Sequence, residues 1–136
     1  MRQTSDDRGA ALIEVLIAVV VLSTAGLAIL GGMYTSIAVS DVHRKQATVG
    51  ALAQDYAERV AGETYVECAS ASAYTLTAGA VTVPAGYSVS VDSVEYWTGS
   101  GWSAACASAG LQRVTVVASS DDGRATEHAV VVVRHR

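Results

Sequence analysis

The spacing of apolar residues divides the chain into three stretches. From Val15 to Ser40 no residue is charged, a run of 26 positions whose centre reads Val15-Leu16-Ile17-Ala18-Val19-Val20-Val21-Leu22. Roughly 20 apolar residues in a helix cross the hydrocarbon core of a bilayer, so this run is long enough to span one. Beyond it the pattern becomes amphipathic. Val49, Leu52, Ala53, Tyr56 and Val60 recur at three- and four-residue intervals, and Lys45, Gln54, Asp55, Glu58 and Arg59 fill much of the remaining surface. Gly62 is a natural stop. A continuous helix from Ala10 to Ala61 would be about 78 Å long at 1.5 Å per residue. Its first half would be apolar all round and its second half apolar on one face, ready to carry a sheet.

From Tyr74 onward the period shortens to two, and turn residues alternate with β-formers. The pattern predicts strands at Tyr74–Thr77, Ala80–Val83, Tyr87–Trp97, Leu111–Ser119 and Thr126–Arg134. Tyr87, Val89 and Val91 alternate with Ser88, Ser90 and Asp92, as a half-buried strand requires. Thr98-Gly99-Ser100-Gly101 reads as a turn flanked by Trp97 and Trp102. Ser120-Asp121-Asp122-Gly123 reads as a hairpin loop, because Asp-Gly supplies the positive φ needed there. Val130-Val131-Val132-Val133 is apolar on both faces, which predicts a central strand covered on one side by the helix. The expected fold class is α+β, a long N-terminal helix packed on a small C-terminal antiparallel β-sheet, with Arg134-His135-Arg136 as a solvated tail.

Composition narrows the function classes. The 136 residues are 51% apolar and 16% charged, with a mean hydropathy of +0.33, which excludes a disordered chain and points to a membrane segment. Net charge is −4 and Lys45 is the single lysine, so no basic surface is available to hold a phosphate backbone and no nucleic acid is expected as a partner. One proline, Pro84, excludes Pro-rich linkers and collagen-like repeats.

The apolar run is too long for the core of a secretory signal peptide, roughly 7–15 residues. An ordinary membrane anchor is a second reading. Glu14 separates it from a third. A carboxylate within a membrane helix costs on the order of 2.5–3.5 kcal/mol and needs a partner. After Glu14 no lysine, arginine or histidine follows until His43. Cutting the chain after Gly9 would free an amine on Ala10, making Glu14 the fifth residue of the mature chain.

Arg8-Gly9-Ala10-Ala11-Leu12-Ile13-Glu14-Val15-Leu16-Ile17-Ala18 resembles the N-terminal processing and methylation motif of type IV prepilins and type II secretion pseudopilins. The resemblance implies a leader of residues 1–9, a helix over 10–62 and a β-rich head over 63–136. It implies that Gly9 is the cleavage-site glycine and Ala10 the residue methylated by the prepilin peptidase. Glu14 becomes the assembly carboxylate that neutralises the N-terminus of a neighbouring subunit. The implied partners are that peptidase and methylase, other pilin or pseudopilin subunits, and the cytoplasmic membrane. The head would lie outside the cytoplasm, before incorporation into a pilus or pseudopilus. The chain departs from the family in having alanine after the glycine, where phenylalanine or methionine is usual. It also has Gly31 where major pilins often have a helix-breaking proline. The Gly31-Gly32 pair supplies either a softer kink or melted stretch, or a place for close packing. Thr24, Ala28, Gly32, Ser36 and Ser40 form a small-residue stripe of the kind that lets helices approach in lipid. The final two strands, with Trp102, Cys106 and Leu111-Gln112-Arg113-Val114 ahead of them, resemble the sheet of minor pilins, which favours a minor subunit. A different class of function, a single-pass membrane-anchored extracytoplasmic binding protein with Glu14 incidental, fits the same apolar run.

Cys68 and Cys106 both follow the membrane segment. In an oxidising exterior a disulfide is expected, closing a loop worth roughly 4 kcal/mol in the chain-entropy model. Two buried thiols or a metal pair are the alternatives, and neither cysteine sits in a C-x-x-C motif. His43, His128 and His135 are scattered, and no phosphate loop, His-x-x-x-His pattern or Gly-x-Ser-x-Gly elbow occurs. No catalytic residue, metal site or cofactor is implied, and the expected role is structural rather than enzymatic.

Overall fold

The computed structural model describes residues 6–77 and 79–135, with side chains from Ala11 onward. One helix, α1 (Asp6–Gly62), is 57 residues long and unbroken, starting four residues before the expected Ala10. Four strands follow: β1 (Tyr87–Trp97), β2 (Trp102–Ser103), β3 (Leu111–Ser120) and β4 (Thr126–Arg134). They form one antiparallel sheet in the order β2-β1-β3-β4. The chain comprises two units, one ending at Asp41 and one beginning at Val42.

In the first unit α1 is solvent-exposed from Ala11 to Ser40, and its apolar stretch is long and apolar enough to cross a membrane. Three of its hydroxyls return to their own helix. Ser23 Oγ donates to the Val19 carbonyl at 2.7 Å, and Thr24 Oγ1 to those of Val20 and Val21. Thr35 Oγ1 donates to the Gly31 and Gly32 carbonyls at 3.2 and 2.9 Å. A polar side chain satisfied in this way is tolerable in hydrocarbon. The helix continues through Gly31-Gly32 without a melted stretch, and a Cβ on either glycine would meet open space.

In the second unit α1 buries one face against the sheet. Val49, Leu52, Ala53, Tyr56 and Val60, the residues the periodicity selects, are all buried. They join Val114, Val116, Ala118 and Val133 of the sheet and Ala69, Tyr74 and Val81 of the connecting segment in a single core. β3 alternates without interruption between buried and half-buried positions, so it is the strand that carries the core. β1 places Tyr87, Val89 and Val91 inward. A bulge between Val91 and Ser93 then shifts the register, and Val94 and Tyr96 pack inward in turn. The extra residue keeps five apolar side chains on one face despite their broken spacing.

Two expectations are overturned. β4 is the edge strand, not the central one. Its hairpin with β3 leaves it beside that strand, and β1 takes the other side of β3. Ala129, Val131 and Val133 face the core, while Val130 and Val132 on the opposite face are 60% and 48% exposed. Four valines suit a strand, but which strand is central depends on pairing partners far away in sequence. The strands expected at Tyr74–Thr77 and Ala80–Val83 are also absent: a 3₁₀ turn covers Ala71–Tyr74 and irregular chain follows. The backbone donors there are used locally. Thr75 N–H bonds the Ser72 carbonyl and Ala80 N–H the Thr77 carbonyl, while Leu76 N–H bonds the Tyr56 hydroxyl.

Candidate functional site

Three places in the molecule combine polar or charged groups with a defined environment. The first is the start of α1. The backbone of Gly9 and Ala10 lies within the helix, and the side chain of Ala10 is outside the described set. Glu14 is exposed among Leu12, Ile13, Val15 and Leu16, all of them exposed as well. The carboxylate is thus carried on a bare apolar helix, and the side chains flanking it in sequence offer it no cation.

The second is the β3–β4 hairpin where it meets α1. Gly123 takes the positive φ (69°) expected of the Asp-Gly pair, and its N–H bonds the Ser120 carbonyl at 2.9 Å. The loop presents Asp122 to Lys45 Nζ, which donates to it and pairs with it. Ser120 Oγ donates to the same carboxylate at 2.8 Å, and the Arg124 N–H approaches at 3.3 Å. Lys45, then Ser120 and the backbone of Arg124, hold the Asp122 carboxyl well below the usual carboxylate range. The lone lysine of the chain, which the sequence pattern assigns to the solvated side of α1, therefore joins the helix to the last hairpin.

The third is the far end of the sheet, where the segment after α1 is stitched down. Gln112 is fully buried on the inner face of β3. Tyr74 hydroxyl donates to its Oε1 at 2.5 Å, and its Nε2 donates to the Val66 carbonyl at 2.7 Å. Tyr96 hydroxyl donates to the Ala69 carbonyl at 2.7 Å. Burial pushes the Tyr74 phenol above its ordinary range. Cys68 and Cys106 are joined in a disulfide with a Cα–Cα distance of 5.2 Å, linking this segment to the β2–β3 connection. On the outer face, Arg113 pairs with Glu95 and lies 4.9 Å above the Trp102 ring, which meets Trp97 edge-on at 5.4 Å. Cavities of about 300 and 420 Å³ open beside the Tyr65–His135 ring pair.

Sequence reasoning singled out Glu14, Gly9 and Ala10 from one motif and the cysteines from their location. It missed Gln112, Tyr74 and Asp122. Gln112 had a signal: it shares the parity of Val114, Val116 and Ala118, so period-two alternation alone puts an amide at an apolar position. Asp122 and Lys45 had none, being 77 residues apart. Among the described residues no group of three or more histidine, cysteine or acidic side chains is placed to hold a metal. Protein-family models, curated proteins and solved structures contain no match to this chain.

Proposed function

We propose that this chain is a structural subunit, minor rather than major, of a type IV pilus or type II secretion pseudopilus. In this reading it is inserted in the cytoplasmic membrane, cut after Gly9 by a prepilin peptidase, methylated on Ala10 and assembled through α1. The observation that carries the proposal is the division of one continuous helix: its first half is apolar and bare, its second half buries one face under the sheet, and Glu14 sits near the start of the bare half. A free-standing apolar helix with a carboxylate needs both lipid or other helices around it and a counter-charge. Cleavage after Gly9 creates such a charge on Ala10, and a neighbouring subunit's amine meets Glu14 once the apolar helices bundle. The head contributes the surface that is displayed.

The test is the N-terminus of the protein extracted from cells. Mass spectrometry is expected to show loss of residues 1–9 and one added methyl on Ala10. A chain that keeps its initiator methionine would instead be a single-pass anchor carrying an extracytoplasmic binding head. Glu14→Gln is expected to leave membrane insertion and cleavage intact and to abolish co-sedimentation with filaments.

A further inference from the structure

The disulfide joins two segments that are held very unequally. On one side, Cys68 lies between Val66 and Ala69, whose carbonyls accept from Gln112 and Tyr96, and Ala69 N–H bonds the Val66 carbonyl at 3.3 Å. Ala69 and Tyr74 are buried in the core. Leu76 N–H is bonded to Tyr56 of α1. With the Tyr74 hydroxyl donating to Gln112 Oε1, four hydrogen bonds to other elements, all independent of sulfur, dock this segment.

On the other side is Ala104-Ala105-Cys106-Ala107-Ser108-Ala109, a loop with no side chain larger than cysteine. None of its residues is buried, and none belongs to the core. Its hydrogen bond among the described residues lies at its start, from Ala105 N–H to Ser103 Oγ at the end of β2, at 3.1 Å. The loop has no apolar anchor and, among the described residues, is tied only at its two ends, to Ser103 of β2 and at Gly110, whose carbonyl accepts from the His135 N–H at 2.9 Å, so its middle relies on Cys106 for its position. The same loop runs into Ser108, Ala109 and Gly110, one wall of the cleft of about 420 Å³ whose other wall is Tyr65, Glu67 and His135. Both half-cystines are exposed, and Cys68 holds a left-handed backbone conformation (φ 55°) that a residue with a Cβ adopts at a cost.

We propose that Cys68–Cys106 is a reducible clasp: breaking it frees loop 104–109 and opens the cleft beside Tyr65 and His135, while the segment from Val66 to Leu76 stays docked. The reductant is a dithiol, of the kind carried by thiol–disulfide oxidoreductases. One thiolate of the dithiol attacks a sulfur of the exposed pair, forming a mixed disulfide and expelling the other cysteine as thiolate. The second thiolate of the reagent then attacks the mixed disulfide and expels the remaining cysteine. Two electrons pass to the cystine, the reagent leaves as its own disulfide, and water protonates the thiolates. Exposure of both cysteine residues gives the reagent its line of approach.

The experiment uses the full chain in detergent. Native treatment with dithiothreitol followed by iodoacetamide is expected to alkylate both cysteines without denaturant. The alkylated protein, freed of reductant, and C68S/C106S are then digested with elastase, which cuts after small residues. Both are expected to be cleaved within 104–109 at least about tenfold faster than the oxidised chain. Hydrogen exchange is expected to leave the amides of Ala69, Ala73, Thr75 and Leu76 as protected as before. Equal cleavage rates overturn the proposal, as does alkylation that requires denaturant. Loss of protection at 69–76, or of the sheet signal in circular dichroism, also overturns it, because the disulfide would then be holding the docked segment rather than the loop.

Discussion

The two halves of α1 obey the same local rules and meet opposite fates. From Val15 to Ser40 the helix carries no charged residue and is exposed on every side. From Val42 it is apolar on one side, and that side is closed by the sheet. Hydrophobicity alone therefore does not put a residue in a core. Val19 and Val49 are the same side chain in the same conformation, yet one is 57% exposed and the other fully buried. The difference is that a one-sided stripe matches one opposing layer, whereas an all-round apolar surface needs a surrounding solvent or several neighbours.

Exchanging a charge between the halves gives the largest expected effect. Val60→Asp places an unpaired carboxylate in a fully buried position and is expected to unfold the head, a loss of about 4 kcal/mol or more, read as disappearance of its cooperative thermal transition. Val20→Asp should leave that transition unchanged and instead impair membrane insertion, by about 2.5–3.5 kcal/mol. If both variants unfold the head alike, the division of labour along the helix is wrong.

A smaller effect tests how the packed half is completed. Gln112→Leu keeps the volume but strands the Tyr74 hydroxyl and the Val66 carbonyl, at an expected cost of about 1–3 kcal/mol in denaturant unfolding. Loss of the bonds should also raise amide exchange between Ala69 and Leu76. Unchanged stability would mean that water replaces the amide there.

Acid probes the contact between helix and hairpin. Asp122 has its folded-state pKa lowered, so its contribution is present above the ordinary carboxylate pKa, about 3.9, and fades as the pH falls below it. Asp122→Asn is expected to flatten the fall in melting temperature between about pH 4 and pH 2, with little change in shape near neutrality. An unaltered acid limb would show that Lys45 and Asp122 are not coupled in solution. The smallest effect belongs to the bare half: Thr35→Val removes a hydroxyl bonded, among the described residues, to its own helix and should shift stability by less than about 0.5 kcal/mol. A larger loss of helicity in detergent would reveal a partner for that hydroxyl.

Much of this architecture was legible in the chain. The buried stripe from Val49 to Val60, the three long strands and both turns follow from periodicities and turn chemistry that act over a few residues. The expected strands before Tyr87 failed for a reason equally local in space but not in sequence: Tyr56, a helix residue, takes the Leu76 amide that a ladder would have used. Of the candidate site residues, Glu14 was legible because an acid at the head of a 26-residue uncharged run stands out, whereas Gln112 hid among ordinary strand residues. Lys45 read as one more surface charge until the hairpin reached it.

By itself the sequence determined where the three long strands begin and which stripe of the helix is buried, because spacing and turn residues bias each few φ/ψ pairs independently of the rest. It also determined that Glu14 rides on an apolar helix. Only the tertiary structure decided that β3 is central and β4 an edge, that Gln112 is the buried amide between Tyr74 and Val66, and that the single lysine holds the last hairpin. Those outcomes depend on which distant segments meet, and strand order and long-range pairing have no signature in the local pattern.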